Sequence, residues 1–251
     1  MKISNKLFSL ITIIVIVIIW HLISFLNLIN SFLLPPPQSV FFELMALLVT
    51  GNLINDIIAT LIRTTIGFTV GIIIGIPLGI LMGYYKRIYD SLEFIVDFFR
   101  SIPAIALFPL FLLFFGIGDE AKVAIAVFVV SLMILVNTMY GVRHRSRTRD
   151  MVAKTMKIER FQLFKKVIIN EAKPHIFAGL RIAVSISLIV IIAAEMFIGT
   201  TVGLGYRIFN ALLVYKIPEM YSVIILTGVI GYLINKLIIY VEHKQIHWIG
   251  I

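Results

Sequence analysis

Long apolar runs recur along this chain at 7–29, about 59–84, about 92–115, 123–140, 176–198 and 221–241. Wound as helices, runs of roughly 20 residues match the hydrocarbon thickness of a bilayer. Lipid offers no hydrogen-bond partner, so such segments must satisfy their backbone groups internally. The runs are continuous rather than alternating, which excludes the pattern of a transmembrane barrel. The expected fold is all-α, a polytopic membrane protein with about six transmembrane helices. Composition agrees, with 60% hydrophobic and 14% charged residues over 251 positions. Charges so sparse could not cover the surface of a soluble globule with this much apolar area.

The connections set the boundaries. Lys2 and Lys6 precede the first run, as in a signal peptide. This run is longer than a signal's apolar region and lacks a small-x-small cleavage site, so it reads as a retained anchor. Leu34-Pro35-Pro36-Pro37 must end the helix, because prolines lack the backbone donor. Phe41, Leu44, Met45 and Leu48 then recur at helical spacing, which predicts a short amphipathic helix on the membrane surface. Pro103 and Pro109 interrupt the third run, 116–120 is a loop, and 199–218 is a Gly-containing loop. Three parts are expected: 1–55, the anchor and an external amphipathic segment; 56–243, a core with a cytoplasmic loop at 143–174; and a cytoplasmic tail, 244–251.

Charge orients the chain. Lys86, Arg87, the basic residues from Arg143 to Lys173, Arg181, Lys236 and Lys244 share a side with Lys2 and Lys6. Only Lys122, Arg207 and Lys216 fall opposite, while Arg63 and Arg100 lie in or near spans. The positive-inside rule then predicts both termini in the cytoplasm of a multi-pass plasma-membrane protein.

Three features are candidates for function. Gly67, Gly71, Gly75, Gly79 and Gly83 recur every fourth residue in the second span and form one helix stripe. The stripe suits close helix packing or a sliding surface during gating. Between Gly141 and Pro174 lie ten Lys/Arg and three Asp/Glu, so +7 of the chain's +9 sits in one loop. Phe161, Phe164 and Ile168 give that loop an apolar face, which suits docking to a partner protein or contact with anionic lipid. Glu93, Asp97 and Arg100 share a face at membrane depth, with Asp97 and Arg100 spaced to pair. Arg181 and Glu195 sit near opposite ends of the fifth span. Arg181 suits snorkelling to the interface, and Glu195 is either functional or interfacial.

Other chemistry is not indicated. There is no Cys, no G-x-x-x-x-G-K-[ST] and no G-x-S-x-G. The reading is of a non-enzyme that binds no metal and no cofactor of its own. His243 and His247, four apart beside Trp248, suit lipid headgroups rather than a metal.

The order of motifs resembles a known family. Arg100-Ser-Ile-Pro103 through Pro109-Leu110, then Phe115-Gly-Ile-Gly-Asp-Glu-Ala-Lys122, is similar to a signature of binding-protein-dependent ABC permeases of the nitrate, sulfonate and taurine branch. Leu34 to Val40, the glycine-stepped span, Asn137 to Arg143, Gly179-Leu-Arg181, Ala194-Glu195 and Gly203-Leu-Gly205 also resemble that branch. The segment from Ala153 to Val167 resembles the family's coupling loop. Met151-Val152, Lys157 and Asn170 stand where the family has Glu-Ala, Gly and Pro.

The resemblance implies a type I ABC importer permease fold and a homodimer. It also implies cytoplasmic ATPase subunits that hydrolyse ATP, an extracytoplasmic solute-binding protein, and no nucleic acid. Coupling is implied for Ala153, Thr155, Lys157, Ile158 and Phe161, and gating or pathway roles for Asp97, Arg100, Pro103 and Glu195. The implied cargo is sulfonate-, nitrate- or taurine-like. The alternatives are a vitamin or pyrimidine precursor carried by the same machinery, or a membrane scaffold outside the ABC class.

Overall fold

The computed structural model describes residues 5–144 and 146–246. Helices α1 (Asn5–Phe25) and α2 (Pro37–Val49) precede the long α3 (Ile54–Tyr84). Next come α4 (Lys86–Ser101), a 3-10 turn at Ala104–Leu107, and α5 (Phe108–Phe115). Helix α6 (Asp119–Arg143) leads to the short α7 (Arg147–Thr155) and α8 (Arg160–Leu163). A π turn at Phe164–Ile168 joins α8 to α9 (Ile169–Phe197), and α10 (Leu204–Leu213) and α11 (Ile217–Gln245) complete the order.

Among the described residues, four helices are long and apolar enough to cross a bilayer: α3, α6, the continuous stretch Phe161–Phe197, and α11. The third apolar run is not a straight span. Its halves, Lys86–Ser101 and Ala104–Phe115, meet at 94°, which makes it a broken span or a re-entrant loop. The cause is local. Pro103 disfavours helical backbone at the residue before it, and Ile102 is extended at φ −82°, ψ 122°. In the first run the helix is α1, 21 residues from Asn5 to Phe25. It ends before Asn27, whose φ of +50° an asparagine tolerates better than most residues. The six apolar runs are thus four long helices, one bent pair and the 21-residue α1.

The triple proline folds back on α1. Trp20 Nε1 donates to the Pro35 carbonyl at 3.0 Å, and Ser24 Oγ donates to Leu34 O at 3.1 Å. Pro37 then opens α2 at a position where the missing N–H costs nothing. Helix α2 does more than lie on a surface. Val40 and Leu47 are buried, and Ser222 Oγ of α11 donates to Val40 O at 2.7 Å.

The core is the seam between α3 and α6, closed by α9. Val130, Ile134 and Ala183 are wholly buried there and pack with Phe68, Ile72, Ile76, Met133 and Leu180. The glycine stripe sets the spacing. A Cβ on Gly75 would lie 2.7 Å from Ser131 O, one on Gly79 2.5 Å from Leu135 O, and one on Gly83 2.7 Å from Val142 Cβ. Gly67 meets Ala126 Cβ at 2.8 Å, and Gly71 lies against Val130. Pro77 sits inside α3 and Pro174 inside α9, so the latter helix runs through a proline where the sequence suggested a boundary. The loop expected at 199–218 holds a helix of its own, α10.

Candidate functional site

At the end of the bundle where α3 and α6 begin, charged side chains from several elements converge. Arg63 of α3 is 6% exposed and donates to Asp119 Oδ1 at 2.9 Å, Glu195 Oε1 at 2.6 Å and Val202 O at 2.8 Å. Glu195 is 2% exposed and also accepts from Thr60 Oγ1 and from the Gly205 N–H, each at 2.9 Å. Asp56 accepts from the Gly203 N–H at 2.8 Å and from Arg207 at 2.9 Å. Arg207 in turn donates to Glu219 of α11 at 3.0 Å. Lys122, 1% exposed, donates to Gly118 O at 3.0 Å and Asp119 Oδ1 at 3.3 Å. This junction ties α3, α6, α9, α10 and α11 together.

Buried charges of this kind persist only when each is paired and hydrogen-bonded. Gly203 is required here. Its φ is +142°, and a Cβ would stand 2.5 Å from the Glu195 carboxyl carbon. Every carboxylate in the cluster is already engaged by a cation or an N–H, so none is poised as a nucleophile or base. Among the described residues no group of three His, Asp or Glu could hold a metal ion.

The second feature is the elbow between α4 and the 3-10 turn. Asp97 and Arg100 pair at 3.2 Å, both substantially exposed, and Pro103 follows at the bend. Tyr89 OH hydrogen-bonds Glu93 one turn earlier.

At the opposite end of the bundle lies the basic segment around α7 and α8. Met151, Val152, Met156 and Phe161 are exposed there, Phe161 at 71%. The apolar face read from Phe161, Phe164 and Ile168 holds in part. Phe161 and Phe164 line one pocket with Tyr84 and Tyr85, Phe164 packing on Tyr84 with ring centroids 5.8 Å apart. Ile168 leaves that face and is 1% exposed, because the π turn at Phe164–Ile168 shifts the helical phase across it. Thr155 Oγ1 caps Met151 O at 3.0 Å, Ile158 is half-buried, and Lys157 adopts φ +52°. That left-handed backbone is the conformation a glycine adopts without strain. The side chain of Ala153 lies outside the described residues, as do His247 and Trp248. Arg181 does not merely snorkel: it reaches Glu242 of α11 at 3.3 Å.

The structure thus gathers Glu195 into the junction and Asp97, Arg100 and Pro103 at the elbow. The glycines lie along α3, with Thr155, Lys157, Ile158 and Phe161 at the far end. Sequence reasoning missed Asp56, Thr60, Arg63, Asp119, Lys122, Arg207 and Glu219. One signal was available. Asp56, Thr60 and Arg63 continue the stripe of Gly67 and Gly71 at helical spacing, so a polar group was bound to meet the face that the glycines pack.

Residues 75–243 match the family model described as binding-protein-dependent transport system inner membrane component. A putative ABC transporter permease protein of Methanocaldococcus jannaschii is 31% identical over 92% of this chain and 88% of its own length. A putative aliphatic sulfonates transport permease protein of Bacillus subtilis is 28% identical over 93% of this chain and 84% of its own. Among solved structures, a chain of an inward-facing methionine ABC transporter superposes with a TM-score of 0.68. It is 21% identical and spans 77% of this chain and 95% of its own, a likeness of fold.

Proposed function

Because the chain belongs to the binding-protein-dependent transport system inner membrane component family, and so is a multi-pass ABC transporter permease, we propose that it forms half of the membrane channel of an ATP-driven importer. Two copies would enclose the solute's path. An ATPase on another chain would supply the work, and an extracytoplasmic binding protein would deliver the cargo. The proposed orientation places the α7–α8 end and both termini in the cytoplasm, following the basic residues there.

One observation carries the ATPase coupling. Met151, Val152 and Met156 are exposed on a highly basic segment ahead of the span Phe161–Phe197, and Phe161 is exposed at that span's first residue. Apolar side chains left uncovered beside water mark a protein contact. Each conformational state of the ATPase pair would bias the helices between two arrangements through that contact. The proposed cargo class is small oxyanions of the sulfonate, nitrate and taurine type, supported by likeness to the sulfonate permease. No cofactor is proposed for this chain.

The test is reconstitution in vesicles with a candidate ABC ATPase and solute-binding protein from the same organism. ATP-dependent uptake of an alkanesulfonate, competed by taurine, is the expected result. Uptake of a thiamine or pyrimidine precursor instead would keep the machine and replace the cargo. Assembly with no ATPase at all would sink the reading.

A further inference from the structure

The elbow between α4 and the 3-10 turn encloses a cavity of about 230 Å³. Phe99, Arg100 and Ile102 line it from the bend, Phe128 and Leu132 from α6, and Val190 from α9. Arg100 is the one charged residue in its lining. Depth makes that charge informative. Phe128 and Leu132 lie near the middle of α6 (Asp119–Arg143), roughly 14–20 Å along a helix about 37 Å long. Arg100 therefore sits level with the middle of α6, a helix long and apolar enough to cross a bilayer. A cation there costs on the order of 2.5–3.5 kcal/mol on insertion scales. The hydrogen bond recorded for it goes to Asp97 Oδ1 at 3.2 Å, and that leaves most of the guanidinium donors unused. Asp97 is itself 63% exposed at its side chain, so this pair is open rather than enclosed by the protein.

A structural ion pair has little reason to sit here. An exposed i,i+3 pair contributes only a few tenths of a kcal/mol. That is less than the cost of the depth at which Arg100 lies.

We propose that the elbow cavity is an anion-recognition point on the solute's route and that Arg100 is the residue that selects negative charge there. The inference rests on the permease reading and names the contact that reading lacks. The planar guanidinium matches a sulfonate, nitrate or carboxylate with two parallel donors. The cavity is smaller than the roughly 300–1,000 Å³ of pockets that take drug-sized ligands, which suits solutes of a few heavy atoms. Asp97 holds the guanidinium in place while no solute is present and yields it when an oxyanion arrives.

The chain has no native Cys, so a single thiol reports the field in the cavity. Met133→Cys lies in its lining. The permease, assembled with its ATPase in membrane vesicles, is treated with sulfonatoethyl or trimethylammonioethyl methanethiosulfonate. Mass shift of the permease gives each rate. With Arg100 present the anionic reagent should be favoured. In the Arg100→Gln background the anion-to-cation rate ratio should fall roughly tenfold, and Arg100→Lys should retain most of it. Asp97→Asn should raise the ratio, which keeps the test decisive if Arg100→Gln fails to assemble. An unchanged ratio in Arg100→Gln and Asp97→Asn, or a thiol that neither reagent reaches, overturns the proposal. Labelling needs neither solute nor ATP hydrolysis. Loss of charge selection and failure of transport are therefore separate results.

Discussion

Arg63 serves acceptors on α6, α9 and the 199–203 turn at once, so its loss strands more than one partner. Arg63→Met should leave Glu195 as a buried carboxylate without its cation. The expected loss is about 3–5 kcal/mol of stability, read as a lowered unfolding midpoint of the purified protein in detergent. Adding Glu195→Leu should recover part of that loss, since an apolar pair replaces a lone charge. A double variant no better than the sum of its singles would show that the two residues do not depend on each other. This cluster was only partly legible in the sequence. Glu195 stood out as an ionisable residue near a span's end. The other members of the cluster come from positions as distant as Asp56 and Glu219, and no local spacing announces a contact across such separations. Arg63 and Arg207 look like ordinary interface cations until the fold sets Arg63 against Asp119 of α6 and Glu195 of α9, and carries Arg207 on α10 to Asp56 of α3 and Glu219 of α11.

Helices were the more legible level, because apolar length and proline placement are local properties. The long helices fall where continuous apolar runs end in charges, and the elbow falls at Pro103. What the sequence could not supply was phase. A π turn carries no residue signature, and it is what separates Ile168 from Phe161 and Phe164. Two predictions belong here. Gly75→Leu must drive side-chain atoms into the Ser131 carbonyl and Ile134, so it should abolish stable assembly. Gly228→Leu on α11, with nothing within 4 Å, should leave the isolated protein's unfolding midpoint unchanged. Equal tolerance at both sites would mean that the α3–α6 seam is looser than described. Phe161→Ala should keep the permease inserted but cost most ATPase co-purification, because few buried anchors dominate a docking surface. Lys165→Ala with Lys166→Ala should cost less, since both are solvated. ATPase lost only from the double-lysine variant would remove Phe161 from the interface.

For the whole molecule, the orientation proposed from charge can be checked by single thiols. Gln38→Cys and Tyr215→Cys should react from outside with an impermeant maleimide, and Glu159→Cys only after the membrane is opened. The reverse pattern would invert the assignment of both ends. A mechanical consequence follows from the unbroken helix Phe161–Phe197, which carries Phe161 at one end and Glu195 at the other. At about 1.5 Å per residue, those two side chains sit on a rod roughly 50 Å long. Pivoting such a rod by a mere ~5° about its far end would sweep Glu195 through about 4 Å. That exceeds the 2.6 Å separating it from Arg63. A stiff lever with one tip clamped cannot swing alone. A stroke delivered at Phe161 must either carry α3 along as a single body or be absorbed at its two compliant points, the π turn and Pro174.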